Sequence, residues 1–110
     1  MNFHVLTLFP QMINEGLNHS IIKRALERNL ININCIDIRD FSSNKHHKVD
    51  DYPYGGGFGM VMQAEPVYNA YMSIKDKVSK NTKVIFMSPQ GKPFNQKKAE
   101  ELSKEEDIII

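Results

Sequence analysis

Four glycines occupy five consecutive positions in Gly55-Gly56-Gly57-Phe58-Gly59, and Asp50-Asp51-Tyr52-Pro53-Tyr54 leads into them. Glycine costs conformational entropy, so such a run belongs where backbone must take positive φ or pass close to another molecule. Tyr52, Tyr54 and Phe58 are flat rings, and the loop is compatible with a nucleobase or an RNA backbone that stacks on them. A tight, packed loop is the plainer alternative. Met60-Val61-Met62 resumes an apolar run at once, which predicts packing against the domain rather than a free linker. The run is not a Walker loop, because no Gly-Lys-Ser/Thr follows. It also does not open a helix directly after a strand, as a dinucleotide fingerprint does.

A second segment, Ser88-Pro89-Gln90-Gly91, follows an apolar run and could hold an adenine or ribose with its backbone groups; Pro and Gly also supply ordinary strand-to-helix turns. Lys45-His46-His47-Lys48 is a basic cluster, read either as a solvated loop face or as a phosphate-contacting patch. Adjacent histidines diverge, so no metal site is assigned. Asp50 and Asp51 could serve as a general base or orient one, or act as turn formers and partners of Arg39 or Lys48. His4 and His19 have no visible partners and are taken as structural. Cys35 lies in an apolar run and reads as a small core residue rather than a nucleophile.

These residues need elements to hold them. Phe3 to Phe9 is a nearly continuous apolar run ended by Pro10, suited to a strand buried on both faces of a parallel sheet. Pro10 to Gly16 is a turn or short helix. Asn18 or Ser20 can cap a helix with Ile21, Ile22, Ala25 and Leu26 on one face, and Asn29 suits its stop. A second strand spans about Asn32 to Ile38, and no period holds from Arg39 to Gln63, a length that in a compact domain points to function or disorder. Pro66 at a first helical position starts a helix with Val67, Ala70, Tyr71, Ile74 and Val78 at helical spacing. Val84-Ile85-Phe86-Met87 is a third, buried strand. Asn95 caps a helix with Ala99 and Leu102 inward, and Asp107 to Ile110 begins a fourth strand. Strands alternating with helices predict an α/β fold with a parallel sheet and flanking helices. Ligands in such sheets sit beyond the carboxyl ends of the strands, so the glycine loop and the Ser88–Gly91 segment could share one site.

At 110 residues the chain holds at most one domain with a modest core. A net charge of +1 leaves no strong electrostatic footprint, so any nucleic-acid contact must be local. A single cysteine excludes a disulfide framework and points to a reducing compartment. No apolar run reaches the length of a membrane span, and no signal-peptide pattern opens the chain.

Several motifs now come together in order: Thr7-Leu8-Phe9-Pro10, Ile38-Arg39-Asp40, Lys45-His46, Val49 to Gly57, Gly59-Met60-Val61-Met62 and Ser88-Pro89-Gln90-Gly91. Over its whole length the chain resembles the bacterial tRNA (guanine-N1)-methyltransferases of the SPOUT class. The resemblance implies S-adenosylmethionine as methyl donor and tRNA as acceptor, at N1 of the guanine just 3′ of the anticodon. It implies a cytoplasmic homodimer with a shared active site and a trefoil knot in the cofactor-binding part. It places Phe86, Met87, Ser88, Pro89 and Gln90 against the cofactor, and Asp50, Gly55, Gly57, Phe58 and Gly59 near the target guanosine. Phe58 departs from the proline common in the family at that position.

The strand-like ending at Ile108-Ile109-Ile110 lacks a covering element, and reads as the N-terminal part of a longer methyltransferase domain. The rest of the knot, a catalytic Asp with an Arg partner and a helical tRNA-binding domain would follow. No catalytic residue is therefore assigned within 1–110. The alternative is a non-catalytic nucleotide- or RNA-binding α/β module.

Overall fold

The computed structural model describes all residues, Met1–Ile110. Strand β1 (Asn2–Thr7) pairs in parallel with β2 (Asn32–Asp37), register Asn2 to Asn32 through Thr7 to Asp37. Between them run helices α1 (Pro10–Leu17) and α2 (Ser20–Glu27). The segment after β2 forms a 3-10 turn (Ile38–Phe41) and then a small antiparallel hairpin, β3 (Asp50–Asp51) with β4 (Val61–Met62). Helix α3 (Ala64–Lys75), strand β5 (Lys83–Val84), helix α4 (Gln96–Leu102) and strand β6 (Asp107–Ile109) complete the chain. The main sheet is parallel throughout, in the order β2-β1-β6-β5.

Local chemistry explains the boundaries. Pro10 opens α1 at a first-turn position, where its missing N–H costs nothing. Asn29 takes φ +55 just past α2, the left-handed stop that asparagine tolerates. The N-cap of α2 is neither Asn18 nor Ser20 but His19, in extended backbone with no side-chain cap bond. Asn95 does cap α4, its Oδ1 accepting from the Lys98 N–H at 2.9 Å. Asn95→Ala should cost ~1 kcal/mol, read as a lower urea midpoint. Helix α3 starts two residues before Pro66 and ends before Val78. Pro66 still falls among the first four N–H positions, which have no helical acceptor.

The core is small. Ile38, Val49 and Ala70 are buried together, with Leu6, Leu8, Ile36, Phe41 and Val67 packed around them. Thus α3 lies over the 3-10 turn and fixes the start of the long connection. Ile108 and Ile109 are buried in the sheet interior, because β6 lies between β1 and β5.

Strand β1 is half-buried along its length rather than buried on both faces. One face carries a polar network. His4 Nε2 lies 2.9 Å from Asp107 Oδ1, which also accepts from Asn2 Nδ2 at 3.0 Å; Asn34 Nδ2 lies 3.4 Å from His4 Nδ1. A proton on Nε2 satisfies both imidazole contacts. His4 is therefore structural, but not unpartnered: it ties β2, β1 and β6 together. The hydrogen bond from His4 holds the Asp107 carboxyl below its ordinary range, against the opposing effect of burial. A depressed folded-state value means stability present above the unfolded value, ~3.9, and lost as pH falls through the folded one. Asp107→Asn should lower the unfolding free energy at pH 7 by ~1–3 kcal/mol, read from urea unfolding. The gap to wild type should begin to narrow as pH falls below ~3.9 and close only below the depressed folded-state value.

The third strand is shorter than its apolar run predicts. Only Lys83–Val84 form β5, extended by one bond from Ile85 N–H to Ile109 O at 2.8 Å. It is an edge strand, so Val84, Phe86 and Met87 are exposed rather than buried. The molecule as a whole carries much open surface. Its accessible area is 8840 Å², against ~6200 Å² for a folded monomer of its mass. Its radius of gyration is 15.8 Å, against ~13 Å.

Candidate functional site

All four sheet strands are parallel, so the chain leaves β2 and β5 on the same, carboxyl edge. Both candidate segments begin there, as the α/β pattern requires. Strand order sets the two exits apart, but the glycine loop sits on a separate hairpin whose base, Val49, packs with Leu6 and Leu8 at the end of β1. β2 and β5 are the two outer strands, three spacings or ~14 Å apart. The ends of β1 and β6 lie between.

The glycine segment is the tip of the β3–β4 hairpin. Asp50 pairs with Met62 and Asp51 with Val61, and Gln63 N–H donates to Val49 O at 2.7 Å, so the buried Val49 anchors the hairpin base. Beyond that base the loop does not pack against the domain. Tyr52, Tyr54 and Phe58 are fully or largely exposed, and Met60, Val61 and Met62 are exposed too. Two-residue strands bury too little to fold the tip back onto the sheet, so these apolar groups stay at the surface. Gly59 has φ +86, a conformation that needs glycine. Gly57 has no such φ, and a Cβ there would meet only Pro53 Cγ at 3.7 Å, so it is not required for conformation.

Neither Asp50 nor Asp51 pairs with Arg39 or Lys48. Asp51 Oδ1 accepts from the N–H of the next residue, Tyr52, at 2.8 Å. The Arg39 guanidinium sits 5.9 Å from the Phe9 ring centroid, and the Lys48 ammonium 5.7 Å from that of Tyr52. Half-buried Asp50 has no side-chain partner. His47 takes φ +53 and places Nδ1 3.0 Å from Arg39 O, while Lys45, His46 and Lys48 are exposed.

At the other segment, Ser88 closes a turn. Its C=O accepts from the Gly91 N–H at 3.0 Å, and its Oγ from the Gln90 N–H at 3.2 Å. A Cβ on Gly91 would stand 3.1 Å from Ser88 O, so a side chain there would press on the turn and shift it by a few tenths of an ångström. Ahead of the turn, the backbone N–H groups of Phe86, Met87 and Ser88 donate to nothing in the chain. Phe86 and Met87 expose 87% and 75% of their area beside those donors. Free backbone donors next to apolar side chains suit a flat, hydrogen-bonding heterocycle such as adenine.

An open groove of about 800 Å³ lies at the carboxyl ends of β1 and β2, lined in part by Phe9, Met12, Glu15, His19 and Asp37. None of the assigned site residues lines it. The Phe9-Pro10 step at a strand end was its only local signal. Cys35 is half-exposed rather than core, and its Sγ–H donates to Asn14 Oδ1 at 3.4 Å. Partial burial pushes its thiol up, away from nucleophilic chemistry. No helix is long and apolar enough to cross a membrane.

Comparison with known proteins bears on this geometry. The family model described as "tRNA (Guanine-1)-methyltransferase TrmD" matches residues 1–110. A tRNA (guanine-N(1)-)-methyltransferase of Lachnospira eligens is 53% identical over 110 residues, covering 100% of this chain and 47% of that protein. The protein of the same name from Caldicellulosiruptor saccharolyticus is 56% identical, covering 100% and 44%. The crystal structure of tRNA (m1G37) methyltransferase from Aquifex aeolicus superimposes with a TM-score of 0.85 at 38% identity, covering 99% of this chain and 49% of that one. The chain spans about half the length of these relatives.

Proposed function

The chain belongs to the tRNA (guanine-1)-methyltransferase family, and on that premise we propose that it is the N-terminal part of an enzyme that methylates N1 of the guanosine 3′ to the anticodon in tRNA. The observation that carries this reading is the family match along the full chain, together with two open segments leaving one edge of a parallel sheet. The rest of the methyltransferase domain, its knot and a helical tRNA-binding domain would lie beyond Ile110. The working protein is a cytoplasmic homodimer with a shared site.

Phe86, Met87, Ser88, Pro89 and Gln90 hold S-adenosylmethionine in this reading. The free N–H groups at 86–88 and the exposed Phe86 and Met87 suit its adenosine part. When bound, the cofactor supplies an electrophilic methyl group on a sulfonium. Pro89 fixes its own φ and biases Ser88 to an extended shape, so the seat is ordered before binding. Asp50, Gly55, Gly57, Phe58 and Gly59 form the acceptor side, where a bare backbone admits an unstacked guanine. The N1 proton must leave as N1 attacks, and that base is assigned to residues beyond this chain.

Whole protein incubated with labelled S-adenosylmethionine and tRNA should yield 1-methylguanosine at the position 3′ to the anticodon, identified by nucleoside mass spectrometry. Absence of that product would leave a binding module as the better reading. Pro89→Gly should weaken S-adenosylmethionine binding about 5-fold by loosening the seat, with a smaller effect on tRNA affinity. Calorimetric titration of both ligands separates the two. Unchanged cofactor affinity in a folded variant would make the segment an ordinary turn.

A further inference from the structure

Phe58 exposes 109% of its reference area, the most of any large apolar side chain here. It stands between Gly57 and Gly59, so no neighbouring side chain along the chain shields the ring. The positive φ of Gly59 bends the backbone immediately after it. With Tyr52, Tyr54 and Met60, Phe58 makes a group of exposed apolar side chains on one hairpin, the kind of surface that gains by being covered.

The surroundings indicate what covers it. Lys45, His46, His47 and Lys48 immediately precede the hairpin, and Lys48 already lies over the Tyr52 ring. Cations beside exposed rings match single-stranded nucleic acid, whose phosphates and base faces alternate at short range. Resting on the methyl-transfer reading above, we propose that the Phe58 ring occupies the place in the anticodon-loop stack that the target guanine vacates. An extruded base leaves its former neighbours unstacked, and a flat ring in the gap restores part of that stacking. The bare backbone at 57 and 59 lets the ring enter without side chains colliding with the sugars.

The test uses the whole protein and an RNA hairpin carrying the target guanosine, with 2-aminopurine at the adjacent nucleotide. The wild-type complex should be quenched by stacking. In Phe58→Ala the fluorescence should rise and KM for the hairpin increase about 10-fold, a change within the range seen on removing one base-stacking ring. Phe58→Trp should restore both. Equal fluorescence and KM in Phe58→Ala, with wild type methylating the hairpin, overturns the stacking role and leaves the methyl-transfer reading standing. A Phe58→Ala variant that becomes monomeric in sedimentation while binding RNA normally shows that a second copy covers the ring, and also overturns it. A wild-type protein that binds the hairpin nowhere and methylates nothing sinks both readings.

Discussion

Gly59→Val in the whole protein should lower methyl transfer to tRNA by ~5- to 100-fold while leaving S-adenosylmethionine affinity within about twofold, from strain of 1–3 kcal/mol at one backbone position. The cause is conformation rather than collision. Gly59 has φ +86, yet a Cβ there would meet nothing within 4 Å. A β-branched residue can hold that φ only under strain, so the hairpin tip will shift to relieve it. The proposed acceptor seat is the tip of the β3–β4 hairpin and the proposed cofactor seat follows β5 of the main sheet, so a change at the tip should leave cofactor binding largely intact. Gly57→Ala is the control. Its φ is ordinary and its nearest neighbour, Pro53 Cγ, is at contact distance, so it should lose less than Gly59→Val. Steady-state rates and calorimetric cofactor affinities for both variants check this. Wild-type turnover in Gly59→Val would mark the glycines as ordinary loop residues.

Complete loss of methyl transfer is expected when residues 1–110 are supplied alone. The proposed cofactor segment is at an open edge, the hairpin tip is uncovered, and no residue here is assigned the base that takes the N1 proton. The accessible surface exceeds that of a closed monomer of this mass by ~40%. Purified 1–110 with labelled S-adenosylmethionine and tRNA should incorporate nothing above a no-protein control. Incorporation above it would place the base within this chain, with half-buried, unpaired Asp50 as the first candidate.

Much of the fold was legible because apolar runs and caps are local signals. The runs at Phe3 and Ile108, the Asn95 cap and the Asn29 stop all appear where short-range chemistry puts them. What stayed hidden depends on distant parts of the chain. Whether Val84 to Met87 is interior or edge is decided by strand order, and the order β2-β1-β6-β5 leaves it at the rim. The pairing of Asp50-Asp51 with Val61-Met62 is equally long-range, since acids are poor strand formers and two residues show no alternation. The His4–Asp107 tie joins residues 103 positions apart. The candidate site was legible as two segments on one edge. That one of them is carried on a separate small hairpin was not, nor was the groove at the end of β1.

Two distinct seats are proposed, one at residues 86–90 for the cofactor and one at the hairpin tip for the guanosine. Hydrogen–deuterium exchange on the whole protein reads both at once, because the amides of Phe86, Met87 and Ser88 have no acceptor within residues 1–110. S-adenosylmethionine should slow exchange at 86–88 and leave 52–60 little changed, while tRNA added afterwards should slow 52–60. If both ligands leave these two segments exchanging as in the free protein, and protect others instead, the assignment of the site is wrong.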